Sequence, residues 1–256
     1  MEYWHMSGAG NDFAVVDVRG ESYDLQAFAI RLCQETGADG FLALDCSEIA
    51  DFRLHFYNSD GLRGEMCGNG ARCICRFAYD KGICGENMVI ETDAGLVPGW
   101  RLGEDQYRVQ LNLPSVLDYN RASPAVYVEL GDPGIPHALL EITEEPCREA
   151  LLTRALELRH HSAFSKGANV SFFQMTGENA LNVLTYERGV EDYTLACGTG
   201  CGSIAVALWA AGRLPGKELL CHNPGGELRI HLETDGDALT AIFLTGPATV
   251  LKKGTI

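Results

Sequence analysis

The sequence predicts an α+β protein of two pseudo-symmetric halves, each a helix wrapped by a mostly antiparallel sheet, with an active site in the cleft between the halves. Three observations predict this fold: a Cys-Gly-X-Gly motif that occurs twice, a helical pattern after each copy, and one constant spacing between the copies. The motif reads MCGNGARC at residues 66–73 and ACGTGC at residues 196–201.

Each motif follows a predicted strand. Apolar and polar residues alternate over Phe52–Asn58, and Leu181–Tyr186 is a second strand-like run. Alternation with a period of two is typical of a half-buried strand. The two runs therefore predict matching strands ahead of the two motifs.

Each motif also opens a predicted helix. Apolar residues after it recur at i, i+3, i+4 and i+7, which is the spacing of one helical face. These residues are Ala71, Ile74, Cys75 and Ala78 in the first copy and Cys201, Ile204, Ala205 and Leu208 in the second. Gly82 and Gly212 then fit the C-termini of the two helices.

The spacing between the copies indicates an internal duplication. Cys67 plus 130 is Cys197, and Gly82 plus 130 is Gly212. Upstream, Tyr57-Asn58 matches Tyr186-Glu187 at an offset of 129, and Asn11 has a looser counterpart in Asn169. An offset near half the chain length that persists through strand, loop and helix is the signature of a repeated unit.

The predicted boundary between the halves lies where LPSVLDYNRASP interrupts the pattern with prolines and polar residues. We expect an N-terminal half over residues 1–117 with the first cysteine and a C-terminal half over residues 118–256 with the second. The last predicted strand, about Leu239 to Leu251, is free to return to the N-terminal half.

Composition narrows the class of partner. The chain has 256 residues, of which 46% are hydrophobic and 21% charged, as in ordinary globular proteins. A formal net charge of −15 argues against nucleic acid and anionic membranes, because both need a basic surface. The N-terminal MEYWHMSGAGNDF lacks a basic region before an apolar stretch, and no apolar run has membrane-spanning length. We expect a cytoplasmic protein.

Ten cysteines in such a chain are expected to be free thiols rather than disulfides. Cysteines outside the motifs are expected to be small buried apolar residues. They are Cys33, Cys46, Cys84, Cys147 and Cys221.

The motif itself admits several interpretations. Two cysteines buried near tight turns would serve structure alone. Zinc would need paired ligands, and Cys73 and Cys75 point about 200° apart on a helix. A phosphate loop would need a following Lys-Ser/Thr pair, and an iron–sulfur cluster would need closer ligands. We therefore predict no metal.

A fourth interpretation uses both copies together. Glycines at a helix N-terminus let an anion approach backbone N–H groups, and the same partial positive charge favours a thiolate. If the two halves face each other, one small anion lies between two thiols. One base can then remove an α-proton while an acid on the other face returns one, which is the chemistry of a racemase or epimerase.

The sequence resembles the diaminopimelate epimerase family of cofactor-independent amino-acid isomerases. Besides the two cysteine motifs, the resemblance rests on a series of short motifs in family order. These are GNDF (10–13), GADG (37–40), YNSDG (57–61), TDAG (92–95), PH (136–137), YERG (186–189) and TGPA (245–248).

The resemblance implies interconversion of LL- and meso-2,6-diaminopimelate on the route to lysine, with a small-molecule substrate and no cofactor. It implies that Cys67 and Cys197 form the thiolate/thiol pair. It further implies that backbone N–H groups of Gly68-Asn69 and Gly198-Thr199 receive the α-carboxylate of the substrate.

The resemblance also assigns the far end of the substrate to a set of polar side chains, with His137 as a supporting residue beside Glu187. The set consists of Asn11, Asn58, Asn169, Glu187 and Arg188. Two positions depart from the pattern of many family members. Ile135 stands where they have asparagine, and Gly40 stands where some have glutamine.

Other functions remain open at this point. A racemase of the same fold could act on another α-amino acid, and Ile135 is the residue that suggests it. A binding or regulatory module with vestigial cysteines is the non-enzymatic alternative, and two facing thiols could also form a redox protein. A homodimer is left open.

Overall fold

The structure is a computed structural model that describes residues 1–64 and 66–256. Over these residues the chain forms four helices and 18 strands. The helices are α1 (Leu25–Thr36), α2 (Gly68–Asp80), α3 (Arg148–Arg159) and α4 (Gly198–Ala210). The strands are β1 (Glu2–Gly8), β2 (Asn11–Asp17), β3 (Gly40–Asp45), β4 (Phe52–Asn58), β5 (Arg63–Gly64), β6 (Asn87–Thr92), β7 (Gly95–Arg101), β8 (Gln106–Leu111), β9 (Pro114–Ala122), β10 (Ala125–Gly131), β11 (Gly134–Glu141), β12 (Asn169–Gly177), β13 (Ala180–Glu187), β14 (Asp192–Thr194), β15 (Glu218–Asn223), β16 (Gly226–Asp235), β17 (Ala238–Pro247) and β18 (Thr249–Thr255).

The chain forms two compact units. Unit 1 comprises Met1–Gln110 and Thr245–Ile256, and unit 2 comprises Leu111–Leu244. The chain therefore enters unit 2 at the last residue of β8 and returns to unit 1 within β17, ahead of its last strand.

In unit 1 the strands pair in the order β18-β1-β2-β3-β4-β6-β7-β8, with the short β5 also beside β4. The pairs β2–β3 and β4–β6 are parallel, and the others are antiparallel. A parallel pair needs a crossover connection. α1 provides it for the first pair and α2 for the second.

Unit 2 repeats this topology in the order β9-β10-β11-β12-β13-β15-β16, with β14 beside β13. Its parallel pairs are β11–β12, connected through α3, and β13–β15, connected through α4. The repeated order of strands and crossovers agrees with the duplication predicted from the cysteine motifs.

The second helix of each unit is the one that the sheet wraps. α2 contacts β1, β2, β3, β4 and β7, and α4 contacts β9, β10, β11, β12, β15 and β16. The predicted helical faces, Ala71 to Ala78 and Cys201 to Leu208, are buried as expected. Gly82 and Gly212 have φ of 68° and 67°, the left-handed conformation that ends a helix. The predicted α+β class is confirmed.

Two helices were not predicted from the sequence. They are α1 and α3, which cover the opposite faces of the two sheets. Phe28 and Leu32 of α1 pack on Phe41 in a core cluster of unit 1. Ala155 and Leu158 of α3 join a matching cluster of unit 2. Each sheet is therefore covered by helices on both faces, which explains its many buried positions.

The prediction that the five cysteines outside the motifs are buried is right for two of them, wrong for two others, and half right for Cys84, which is half-buried. Cys33 and Cys221 are buried, whereas Cys46 and Cys147 are exposed. Cys46 follows directly after β3, and Cys147 is the N-cap of α3, so both lie outside the packed elements. Within the described residues, no helix has both the length and the apolar character of a membrane span.

Two leucines of α3 test how firmly this helix holds unit 2 together. Leu158 is 1% exposed and Leu156 is 41% exposed. We expect Leu158→Ala to lower the free energy of unfolding by about 2–5 kcal/mol, because it leaves a cavity in the core. The matched Leu156→Ala should change it by no more than about 0.5 kcal/mol. Urea unfolding measures both, and equal effects would contradict the packing described.

Candidate active site

The two motif cysteines occupy the same position at the start of two equivalent helices. Cys67 is the N-cap of α2, and Cys197 is the N-cap of α4, each with extended backbone. Their carbonyl oxygens accept the first helical hydrogen bonds, from Ala71 N at 2.8 Å and Cys201 N at 3.0 Å. Cys67 is half-buried and Cys197 is buried. Each thiol therefore lies where the N–H groups of a first helical turn point outward.

These two helix N-termini lack the usual compensation for their partial positive charge. At α1 the Asp24 side chain accepts a hydrogen bond from Ala27 N, and α3 has Glu149 in its first turn. α2 and α4 begin instead at cysteines and have no acidic residue in the first turn, in the part of the chain that the structure describes. At α4 the Cys197 sulfur itself accepts from the Gly200 N–H. The first turns of α2 and α4 are suited to bind an external anion.

Glycines allow the sheet to approach these first turns closely. A Cβ on Gly8 of β1 would lie 2.7 Å from the carbonyl oxygen of Asn69. A Cβ on Gly200 would lie 2.8 Å from Ser171 Oγ, whereas on the equivalent Gly70 it would lie 3.1 Å from Leu42 Cδ2. Side chains at these positions would move the helix N-terminus away from the strands.

A fully buried arginine supports the first turn of α2. The Arg72 guanidinium donates to Gly68 O at 3.1 Å, to Asn69 Oδ1 at 3.0 Å and to Pro247 O at 3.3 Å. It holds the two residues predicted to receive a carboxylate and adds positive charge at the helix start. Arg72 was not predicted from the sequence as a site residue. A charged residue between the apolar Ala71 and Cys73 was the available signal.

The remaining predicted residues of unit 1 lie at the ends of neighbouring strands. Asn11 begins β2 and is half-buried, while Asn58 ends β4 and is exposed. Gly40 begins β3, paired with Phe13 on one side and Asn58 on the other. A Cβ at Gly40 would lie 3.1 Å from the Phe56 ring and 3.3 Å from the Phe13 ring. Two aromatic rings thus occupy the space that a longer side chain at position 40 would need.

In unit 2 the equivalent strand ends form a polar row. Asn169 of β12 pairs with His137 of β11. On the other side of β12, the next residue, Val170, pairs with Tyr186 of β13. His137 is fully buried and Asn169 is 6% exposed. Glu187 follows Tyr186 at the end of β13 and accepts a hydrogen bond from Thr194 Oγ1 at 3.0 Å.

Hydrogen bonds connect five of the predicted residues of unit 2 in a continuous chain. Cys197 Sγ lies 3.5 Å from Thr199 Oγ1, which lies 3.0 Å from His137 Nε2. Asn169 Nδ2 lies 3.5 Å from the same His137 nitrogen, and Asn169 Oδ1 accepts from Arg188 N at 2.8 Å. Because the amide is a donor here, Nε2 of the neutral imidazole accepts.

Burial shifts the pKa values of Cys197, Glu187 and His137. Desolvation and the Glu187 carboxylate raise the pKa of Cys197 well above its ordinary value, against hydrogen bonds from Thr199 and Gly200 N–H. Desolvation also raises the pKa of Glu187, against the hydrogen bond from Thr194. Desolvation and the Arg188 charge lower the pKa of His137 to about 3. His137 is therefore neutral near pH 7, and Cys197 is held as a thiol.

The two copies of the site differ in charge at equivalent positions. By the offset of 130, Gly202 of the second copy is equivalent to Arg72 of the first. By the offset of 129, Glu187 is equivalent to Asn58. Unit 1 thus has an additional buried cation near its cysteine, and unit 2 has an additional carboxylate. The predicted match of Asn11 with Asn169 is wrong. In the strand pairing of the two units, Asn169 occupies the position of Gly40, and His137 occupies the position of Phe13. Two residues earlier in the same two strands, Ile135 is therefore the counterpart of Asn11.

Within residues 1–64 and 66–256, no group of three or more His, Cys, Asp or Glu side chains is arranged to hold a metal ion. Apart from the Glu187 carboxylate and the His137 imidazole in unit 2, the polar groups described near the two cysteines are amides, hydroxyls, guanidinium groups and backbone N–H groups. Such groups are suited to bind carboxylates.

Comparison with solved structures shows a shared fold. The Bacillus anthracis phenazine biosynthesis protein of the PhzF family superposes with a TM-score of 0.76 at 15% identity, over 100% of this chain and 98% of that one. A hydroxyproline epimerase from Agrobacterium vitis superposes with a TM-score of 0.73 at 18% identity, over 99% and 91% of the two chains. At such identities the likeness concerns the fold alone.

Sequence comparison identifies the family. The diaminopimelate epimerase family model matches residues 3–111 and 131–251. The diaminopimelate epimerase of Chlorobaculum tepidum is 35% identical over 98% of this chain and 99% of its own length. That of Aquifex aeolicus is 35% identical over 100% of this chain and 98% of its own. The chain therefore belongs to the diaminopimelate epimerase family and is an isomerase.

Proposed function

We propose that the protein interconverts LL- and meso-2,6-diaminopimelate by two-base proton transfer between Cys67 and Cys197, without a cofactor. One observation carries the proposal. The two cysteines are the N-caps of equivalent helices whose first turns contain no acidic residue, within the described part of the chain. The relatives named diaminopimelate epimerase support the choice of substrate.

The chemistry requires that the carboxylate beside the reacting carbon receive charge. Removing the α-proton of an amino acid moves negative charge into its carboxylate. Preorganised N–H groups stabilise that charge most in a site without bulk water. We assign this task to the first turns of α2 and α4, at Gly68-Asn69 and Gly198-Thr199. The proposal requires that both turns meet one substrate.

The charge difference between the units suggests which cysteine holds the proton at rest. Burial and Glu187 favour the thiol form of Cys197. Thr199 Oγ1 can accept from that thiol while its own hydroxyl proton is donated to His137 Nε2. We therefore assign the resting proton to Cys197 and the thiolate to Cys67, at the helix start that Arg72 supports.

Recognition of the distal end of the substrate is assigned to polar strand ends. Asn169, Glu187 and Arg188 in unit 2 are the candidates for its carboxylate and ammonium groups, together with Asn11 and Asn58 in unit 1. Arginine can bind a carboxylate through two parallel hydrogen bonds, and a glutamate can accept from an ammonium group.

A racemase of a different α-amino acid is the second candidate. It is favoured by Ile135, an apolar residue at the position that the duplication pairs with Asn11. Incubation in D₂O with a panel of single α-amino acids separates the candidates by mass spectrometry. Deuterium uptake by one of them, with none by diaminopimelate, would support the second candidate and contradict the first.

We further propose a cytoplasmic location and a role in lysine biosynthesis, as the proposed reaction implies. A homodimer stays a prediction, and size-exclusion chromatography with light scattering would test it.

Exchange in D₂O tests the two-base proposal directly. Early in the reaction with LL-diaminopimelate, the meso product should contain one deuterium at the inverted carbon, while recovered substrate stays protiated. The reason is that one cysteine removes the substrate proton and the other delivers a solvent deuteron. Mass spectrometry of the separated isomers measures this, and product that retains protium would contradict the proposal.

Removing either thiol provides a second test. Cys67→Ser and Cys197→Ser should each reduce epimerisation by about 10²- to 10⁴-fold, because a serine hydroxyl is a poor acid and base near pH 7. Cys46→Ser and Cys147→Ser are matched controls, since both cysteines are exposed and outside the motifs. Full activity in either motif variant would overturn the assignment.

The resting thiol on Cys197 predicts how its alkylation depends on pH. Glu187→Gln should shift the pH curve of iodoacetamide labelling at Cys197 to lower pH, because removing the carboxylate removes one cause of the raised pKa. Peptide mass spectrometry follows the labelling, with Glu178→Gln as a control at an exposed loop. An unchanged curve would contradict the role given to Glu187.

Because His137 is buried and neutral, we expect the folded protein to lose stability as the pH falls. The pKa of His137 falls from 6.5 to about 3 on folding, so the unfolded chain binds a proton below pH 6.5 that the folded chain does not. The free energy of unfolding should therefore fall by about 1.4 kcal/mol per pH unit from this group as pH drops below 6.5. His137→Gln should reduce that slope by about the same amount in urea unfolding between pH 6.5 and 5. An equal slope in both proteins would contradict it.

A further inference from the structure

The turn after β13 carries Arg188 and has an unusual backbone. Gly189 has φ of 91°, and Glu191 has φ of 57°, which non-glycine residues adopt at a cost. Glu191 N donates to Glu187 O at 2.8 Å, and Tyr186 Oη donates to Glu191 O at 2.6 Å. Such a conformation persists only where surrounding groups hold it.

One ion pair holds the backbone of this turn. Arg159, the last residue of α3, donates to Glu191 Oε1 through Nε at 3.1 Å and Nη2 at 2.6 Å. The same oxygen accepts from Gly189 N at 3.0 Å. Gly167 makes room for this arginine, because a Cβ at Gly167 would lie 2.1 Å from Arg159 Nη1.

A second group of residues holds the Arg188 side chain. Its Nη1 donates to the carbonyl oxygen of Lys166 at 3.0 Å, and this is its one side-chain hydrogen bond to the residues that the structure describes. A guanidinium has five N–H donors in a planar fork, so the others stay available for a ligand. The position of the Lys166 carbonyl therefore sets the direction in which the guanidinium points.

The Lys166 side chain fixes that carbonyl through a buried carboxylate. Lys166 Nζ lies 2.9 Å from Glu129 Oε2, and Tyr127 Oη donates to Glu129 Oε1 at 2.6 Å. Glu129 is 8% exposed on β10. A Cβ at Gly134 would lie 2.5 Å from Glu129 Cβ and 2.8 Å from Oε2, so the glycine provides space for this carboxylate.

We propose that Glu129 and Lys166 are positioning residues for Arg188. Their ion pair anchors the segment before β12, and the Lys166 carbonyl then aims the Arg188 guanidinium at a second carboxylate, remote from the reacting carbon of the substrate. The inference rests on the proposed function, which supplies that carboxylate.

Steady-state kinetics with LL-diaminopimelate test the role of the pair. Lys166→Met removes Nζ while keeping a similar side-chain length, and Glu129→Gln keeps an acceptor for Tyr127. We expect each to raise KM about tenfold with kcat within about twofold, because the change affects binding of the far end rather than proton transfer. Lys166→Arg should keep the wild-type KM, because an arginine can still form an ion pair with Glu129. Arg154→Met, which breaks the exposed pair of Arg154 with Glu157 on α3, is the matched control and should leave both constants unchanged.

A double-mutant cycle separates positioning from a general effect on structure. In an Arg188→Gln background, Lys166→Met should add less than about twofold to KM, because both substitutions remove the same interaction. Independent, multiplicative effects would overturn the inference, as would an unchanged KM in Lys166→Met with an active wild-type enzyme. Absence of any reaction of the wild type with LL-diaminopimelate would instead overturn the proposed function, and this inference with it.

Discussion

The site depends on two helix N-termini that begin at a cysteine and have no acidic residue in the first turn, among the residues that the structure describes. A capping Ser, Thr, Asp or Asn would stabilise each helix by about 1 kcal/mol. α1 uses Asp24 in that way, and α3 has Glu149 in its first turn. α2 and α4 begin instead at Cys67 and Cys197. Stability of these helices must come from burial, and the sheet that surrounds each of them provides it.

The duplicated halves have kept this geometry and changed its charge. Arg72 supports the first turn of α2 from within the core, where α4 has Gly202. Glu187 ends β13, where β4 ends in Asn58. The Glu187 carboxylate raises the pKa of Cys197, while the Arg72 guanidinium adds positive charge at the start of α2. Two identical halves would give two thiols of equal acidity, so this divergence is what the proposed thiolate/thiol pair requires.

The sequence was sufficient to predict the features that depend on local pattern. The helical faces after Cys67 and Cys197 and the strand Phe52–Asn58 follow from residue periodicity, and the structure has them. Features that depend on pairing between distant segments were not accessible. The predicted match of Asn11 with Asn169 is wrong because the segment that connects β2 to β3 differs in length from the segment that connects β11 to β12. Only the strand register shows that Ile135 is the counterpart of Asn11. Arg72 was missed because hydropathy gives no reason to bury a cation.

α3 shows why an element with a weak sequence signal can matter to the site. Only Ala155 and Leu158 of this helix are buried, so its amphipathic pattern is faint. Its last residue, Arg159, nevertheless holds Glu191 in a conformation with positive φ. The segment that follows provides Lys166 and leads into Asn169, and both bond to Arg188. The crossover that the parallel β11–β12 pair requires therefore also determines where the guanidinium lies, so the recognition proposed for Arg188 depends on the same segment of chain that the topology requires.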